Sequence, residues 1–368
     1  MGQRRFSIFT GQRLLFILTS LAMLANATKT DACTGITLKS RDGHTVVART
    51  IEWGGSNLKS SYVVVPRGHT MSSYINGEKG GMTFRARYGY VGMAVETEEN
   101  VTEGLNEEGL SAGLFYFPRY GQYEEYSPAN RTKTIGDLQV VAWILGSFKT
   151  IDEVKKGIAD IHITTADPRS STVHWRIAEP SGRQVVLEIV DGKTTFYENP
   201  IGVLTNSPGF EWHLTNLNNY INLRSGTEEP RTMGSFGMAS FGAGSSMIGL
   251  PGDVTPPSRF VRAAFYTATA RQVDTTEENV MQSFQILNNF DIPPGVEFAE
   301  GKVPSDIPSA TQWTTATDMS GRKIYYRTMY NSAIRCLDLG TIDFAKVKYQ
   351  SAPLDNTKTQ PVTMIRVK

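Results

Sequence analysis

Cys33 directly follows a stretch with the marks of a removable leader, so loss of residues 1 to 32 would leave a thiol and a free α-amine on one residue. A terminal amine titrates near about 8 and a thiol near about 8.5, so one residue then supplies nucleophile and base at neutral pH without large perturbation. Asp42-Gly43 lies between two strand-like runs, Thr34 to Ser40 and His44 to Thr50, and predicts a two-residue hairpin. Centring that turn pairs residues whose numbers sum to 85, which places Glu52 opposite Cys33 and a carboxylate beside the amine. Arg49 and Glu52 differ in parity, so both serve one site only if a bulge or twist intervenes; such an irregularity is expected.

The leader reading rests on Arg4, Arg5 and Arg13, an apolar run from Leu14 to Leu24, then Ala25-Asn26-Ala27 and Asp31-Ala32. The run is too short to cross a bilayer and fits a secretion signal with a short pro-segment. Cleavage after Ala27 or after Ala32 is compatible with the small residues there; the first leaves Thr28 to Ala32 to be removed by autocatalysis or by another protease. A lipid-anchored Cys33 is the alternative, although Thr30 and Asp31 fit that signal poorly. The expected location is periplasmic or secreted, with residues 33–368 forming a single domain, since no Pro/Ser/charge-rich linker interrupts them.

Beyond residue 32 basic and acidic residues nearly balance, so no basic face is advertised for nucleic acid, and no later apolar stretch is long enough to span a membrane. A small-molecule partner is expected. The two cysteines, Cys33 and Cys336, admit a disulfide joining the ends of the domain, but a structural staple has no special reason to sit at a processing boundary.

The rest of the chain alternates runs of strands with runs of helices. Strands are expected at 84–95, 111–117, 172–178, 184–190, 194–198, 311–317, 323–328, 333–337 and 362–367. Helices are expected at 136–148, 151–161 (opened by a Thr150/Glu153 capping box), 211–223, 258–271 and 277–287. This segregation argues α+β, helices layered on largely antiparallel sheets. Five scattered histidines with no HExxH and no CxxC give a metal little to bind, and no metal or other cofactor is expected. Gly234 to Gly252 lacks the third glycine and the context of a dinucleotide loop and reads as a loop or turn. No GxSxG elbow occurs. His174, in an apolar strand, reads as a satisfied core histidine, and Asn106 as a turn former.

Cys33-Thr34-Gly35, Arg49, Glu52-Trp53, Asn106-Glu107-Glu108-Gly109-Leu110, Gly202-Val203-Leu204-Thr205-Asn206-Ser207-Pro208 and Leu250-Pro251-Gly252-Asp253 through Ser258-Arg259-Phe260 together resemble the choloylglycine hydrolase family, in order and spacing, across the whole chain beyond the leader. The family comprises bile salt hydrolases and penicillin V acylases, amidases of the N-terminal nucleophile superfamily. The resemblance implies a four-layer αββα sandwich, Cys33 as nucleophile, Arg49 and Arg259 beside it, Asn206 in the oxyanion hole and residue 52 holding the amine. It also implies a small-molecule amide substrate with an apolar acyl group, and a homotetramer fits the family.

The chemistry expected at those positions follows from their side chains. The Cys33 amine takes the thiol proton, the thiolate attacks an amide carbonyl, and the Asn206 amide with a backbone N–H near Phe115 or Tyr116 stabilises the oxyanion. The amine product leaves, and water hydrolyses the thioester. Nearby guanidinium groups favour thiolate over thiol. Two departures from the family pattern stand out. Glu52 replaces the usual aspartate, adding a methylene that moves the carboxylate by roughly a bond length. In Ala112-Gly113-Leu114-Phe115-Tyr116-Phe117-Pro118 the position usually held by asparagine or tyrosine falls on Phe115 or Tyr116, depending on the end from which it is aligned. Conjugated bile salts are the expected substrates, with penicillin V and N-acyl homoserine lactones as alternatives; aromatic and Met-rich loops around Tyr62, Phe115, Tyr116 and Met238 suit all three. From another class, a secreted or lipid-anchored binding protein without turnover would keep the fold.

Overall fold

The computed structural model describes residues 31–168 and 170–367. The expected leader therefore lies outside the described residues, apart from Asp31 and Ala32. Residues 31 to 368 cluster as one compact unit.

Two antiparallel sheets build the centre. The strands of these sheets are β1 (Asp31–Lys39), β2 (Thr45–Trp53), β3 (Ser60–Val65), β4 (Tyr90–Val95), β5 (Val101–Asn106), β6 (Ser111–Tyr116), β7 (Val173–Ala178), β8 (Gln184–Val190), β9 (Lys193–Glu198), β10 (Thr311–Asp318), β11 (Lys323–Thr328), β12 (Asn331–Asp338) and β13 (Gln350–Pro353). The five-stranded sheet runs β1-β2-β10-β11-β12 and the eight-stranded sheet runs β9-β8-β7-β6-β5-β4-β3-β13. Helices α1 (Val140–Ser147) and α2 (Ile151–Ile158) share a core with the eight-stranded sheet. Helix α3 (Phe210–Asn216) packs on α4 (Pro256–Thr269), and α4 and α5 (Thr276–Leu287) cover the five-stranded sheet. A second core joins Ile36, Val46 and Ala48 of the five-stranded sheet and Leu105 of the eight-stranded sheet to Phe260 and Phe284 on the helices. These are the four layers of an αββα sandwich of the α+β class.

β2 reads Thr-Val-Val-Ala-Arg-Thr-Ile-Glu-Trp and is buried on both faces, one against the other sheet and one against the helices. That double burial is what a strand in an inner layer demands, and it explains the near-continuous apolar run around two charged residues. The hairpin joining β1 to β2 corrects the expected register. Ser40 N–H donates to the His44 carbonyl at 3.1 Å around Arg41-Asp42-Gly43, with Gly43 at φ +91°. A three-residue loop with glycine in the left-handed region replaces the two-residue turn. Partner numbers consequently sum to 84: Ala32 faces Glu52, and Cys33 faces Ile51.

Other boundaries move for identifiable reasons. The expected strand 84–95 splits because the chain turns at Gly89, where a Cβ would collide with the Phe344 ring. Only Val140–Ser147 of 136–148 is α-helical; the segment before it forms a short strand and a 3-10 turn. Thr150 Oγ1 accepts from Glu153 N–H at 3.2 Å, but the reciprocal capping box sits at Thr275/Glu278. Residues 362–367 are irregular and β13 takes the edge instead. Cys33 and Cys336 are both free thiols, the first buried and the second exposed, so the disulfide reading falls.

Candidate active site

Cys33 sits on the free edge of the five-stranded sheet, and the segment Val203–Asn206 runs along that edge. Gly35 and Leu204 exchange backbone hydrogen bonds of 2.7 and 3.1 Å, which brings Asn206 alongside Cys33. Cys33 N–H donates to Asn206 Oδ1 at 2.9 Å. Arg259, the residue that α4 projects onto β1, donates through Nη1 to the Cys33 carbonyl at 2.6 Å and to Thr34 Oγ1 at 2.9 Å, and through Nη2 to Asn206 Oδ1 at 2.8 Å. With two donors on Oδ1, the Asn206 amide has one orientation, and its Nδ2 donates to the Tyr116 carbonyl at 2.7 Å. His213 Nε2 lies 2.8 Å from the Asn206 carbonyl and His174 Nε2 3.2 Å from that of Thr205, so two histidines hold this segment from behind.

The thiol points the other way, between the sheets. Arg49 Nη2 donates to Cys33 Sγ at 2.7 Å, while its other nitrogens donate to the carbonyls of Thr50, Thr102 and Leu114. The Arg49 guanidinium carbon lies 4.1 Å from the centre of the Phe115 ring. Burial pushes the thiol up; Arg49 opposes it most, Glu52 adds to it, and Arg259 and the Tyr116 N–H, which faces the thiol, oppose it further.

Glu52 lies on the opposite strand face from Arg49, buried against the helix layer. Its Oε1 is 3.5 Å from Thr311 Oγ1 and its Oε2 has no hydrogen-bond partner. Burial pushes its carboxyl up to about 8 against the opposing charges of Arg259 and Arg49. The anticipated irregularity takes a different form. β2 pairs with β1 without a break, and the register shift falls in β10 between Thr311 and Trp313, opposite the step from Glu52 to Ile51. Parity is not overcome by bending β2. The site is instead approached from both faces of the β1–β2 pair, Arg49 from the sheet side and Arg259 with Glu52 from the helix side.

The structure thus gathers Cys33, Arg49, Glu52, Asn206 and Arg259, and it separates Phe115 from Tyr116. Phe115 is fully buried under Arg49, whereas Tyr116 offers its N–H toward the thiol and its carbonyl to Asn206. Met238 belongs to an exposed hairpin, Arg231–Met233 with Phe236–Met238. His174 is satisfied by Glu188 Oε1 at 2.9 Å and the Thr205 carbonyl, and Asn106 links its own turn to the carbonyls of Leu145 and Phe148. Among the described residues no group of three His, Cys, Asp or Glu is placed to hold a metal. Sequence reasoning passed over Glu103, Arg176 and His213. Arg176 stands in the largely apolar strand Val173–Ala178, and a charge in a strand buried on both faces requires a partner; that was the available signal, whereas Glu103, among Thr102, Asn106 and further glutamates, gave none.

Residues 33–355 match the family model of linear amide C–N hydrolases, choloylglycine hydrolase family. A bile salt hydrolase/transferase of Clostridium perfringens is 31% identical over 314 residues, covering 83% of this chain and 92% of the relative. A penicillin V acylase of Pectobacterium atrosepticum is 26% identical over 280 residues, covering 70% of this chain and 66% of the relative. A crystal structure of a mutant conjugated bile acid hydrolase from Clostridium perfringens superposes with a TM-score of 0.78 at 26% identity, over 91% of this chain and all of the other. The chain belongs to the choloylglycine hydrolase family and is an amide-hydrolysing enzyme of the N-terminal nucleophile type.

Proposed function

We propose that the enzyme hydrolyses the amide of conjugated bile salts outside the cytosol, with Cys33 as nucleophile once residues 1 to 32 are removed. The observation that carries the catalytic assignment is the convergence on one residue: Arg49 on the Cys33 thiol, Asn206 on its nitrogen and Arg259 on its carbonyl. Removal of Ala32 frees an α-amine next to Glu52 and Asn206, the two groups that face it from β2 and the covering segment. That amine takes the thiol proton, and Sγ attacks the substrate carbonyl. The oxyanion is met by the Tyr116 N–H and the Asn206 Nδ2 hydrogen not given to the Tyr116 carbonyl. The C–N bond breaks, the leaving amine collects the proton, and water, deprotonated by the Cys33 amine, cleaves the thioester.

Bile salts are favoured by the relatives' names and by Gly202 to Pro208 and Gly252 to Arg259, which resemble bile salt hydrolases more than penicillin V acylases. An assembly through the apolar surface of Ile221, Met233, Phe236, Phe241 and Ile248, all exposed, is part of the same reading and suits a homotetramer. Intact mass of the exported protein, followed by incubation with taurocholate, glycocholate and penicillin V, tests processing and substrate together. A mass beginning at Cys33 with release of taurine or glycine, abolished by Cys33→Ser, is expected. Release of phenoxyacetate alone reassigns the substrate to penicillin V. A protein that begins at Cys33 and turns over none of the three, nor an acyl homoserine lactone, removes the substrate assignment, while unchanged turnover in Cys33→Ser removes the nucleophile assignment.

A further inference from the structure

Beneath the thiol lies an ion cluster that the reaction as described does not use. Glu103 on β5, 1% exposed, accepts from Arg176 Nη2 at 3.0 Å and has its second oxygen 3.6 Å from Arg49 Nη1. Arg176 on β7 is equally buried, donates to the Ala48 carbonyl at 3.3 Å, and has its guanidinium carbon 5.6 Å from the Phe115 ring that also carries Arg49. The surrounding backbone is shaped to admit these groups. A Cβ on Gly113 would collide with Glu103 Oε2, and one on Gly35 would meet Phe115 Cζ at 2.8 Å and Arg176 Nη1 at 3.1 Å.

Burying two guanidinium groups and one carboxylate for packing alone is unfavourable, because desolvation exceeds what a pair recovers unless every charge is matched. Here the count matches only if a second anion is present, and among the described residues the candidate that touches Arg49 besides Glu103 is the Cys33 sulfur. We propose that Glu103 and Arg176 are positioning residues for the nucleophile: Glu103 orients Arg49 against Cys33 Sγ, and Arg176 supplies the second positive charge that leaves the cluster neutral only when Cys33 is a thiolate. This rests on the assignment of Cys33 as the nucleophile. The other charged groups facing Cys33 are Glu52 on β2 and Arg259 on α4; the remaining neighbours, Asn206 and the Tyr116 N–H, are uncharged.

The two substitutions have opposite signs, which a loss of packing does not imitate. The assay is iodoacetamide alkylation of Cys33 against pH, followed by peptide mass in a Cys336→Ser background, alongside the pH profile of kcat/KM. Arg176→Met leaves one cation for two anions, and the alkylation midpoint and the acid limb should rise by about one pH unit. Glu103→Gln leaves two cations, and both should fall by a similar amount, about one unit, while kcat drops as Arg49 loses its orienting anion. Shifts in the same direction, or none, overturn the proposal. Should Arg176→Met fail to fold, the near-isosteric Glu103→Gln decides alone: a midpoint that stays or rises sinks the idea. Opposite alkylation shifts in a protein without turnover would uphold the charge cluster and place the failure in the nucleophile assignment instead.

Discussion

Glu52 faces Ala32 across the β1–β2 ladder, so the proposed removal of residues 1 to 32 would change its acid–base state. With Ala32 attached, no positive charge sits at the Cys33 nitrogen, and burial holds the carboxyl near about 8 rather than 4.5. A native pKa raised above the unfolded one means the native chain binds a proton that the unfolded chain has released between those values. The associated stability is fully present below about 4.5 and is lost as pH rises through about 8. Glu52→Gln removes this dependence. In protein retaining Ala32, urea denaturation should therefore show the parent losing stability relative to Glu52→Gln between pH 5 and pH 8; a constant difference across that range would refute the buried neutral carboxyl. In the proposed processed form, an ammonium at Cys33 would return Glu52 toward its charged form.

At the scale of elements, the β1–β2 hairpin decides which side chain meets which layer. Its three-residue loop puts Gly43 at φ +91°, a backbone that a Cβ disfavours, so Gly43→Ala should cost about 1 kcal/mol in chemical denaturation. Turnover should stay unchanged, because the register is held by two buried strand faces rather than by the loop. Loss of turnover at full folding would show that the loop sets the register. The same two-sided burial explains why the Arg49/Glu52 parity conflict dissolves without a bulge in β2. A pattern of alternation assumes one active face, whereas an inner strand between a sheet and a helix layer presents two.

At the scale of the molecule, a set of exposed apolar side chains lies outside the closed cores of the sandwich. Ile221, Met233, Phe236, Phe241 and Ile248 are each more than 60% exposed, with Phe236 and Phe241 on or beside a small two-stranded hairpin. In the proposed assembly these side chains form the interface, since large exposed apolar groups favour burial against a partner. Light scattering should find the parent as a multimer and the Phe236→Ser/Phe241→Ser double variant at lower mass, with each subunit still folded. A monomeric parent at micromolar concentration would end the assembly reading.

The sequence by itself determined the α+β class, most strands and helices, and the motif set centred on Cys33, because hydrophobic period, turn residues and residue chemistry are local properties. It also placed His174 in a satisfied core environment and left Phe115 and Tyr116 as rivals for one role. Tertiary structure alone set the two apart, since it buries Phe115 under two guanidinium groups and turns the Tyr116 backbone to the thiol. It also moved Glu52 from opposite Cys33 to opposite Ala32, a one-residue change held by which strand faces the two neighbouring layers bury. Of the Glu103–Arg176 pair, only Arg176, a charge in a largely apolar strand, was legible, and its partner lies 73 residues away. Their meeting under Arg49 depends on β5, β6 and β7 lying side by side in the eight-stranded sheet and on that sheet packing against the strand that carries the nucleophile. Such pairings join distant segments through layer order, which no local pattern encodes.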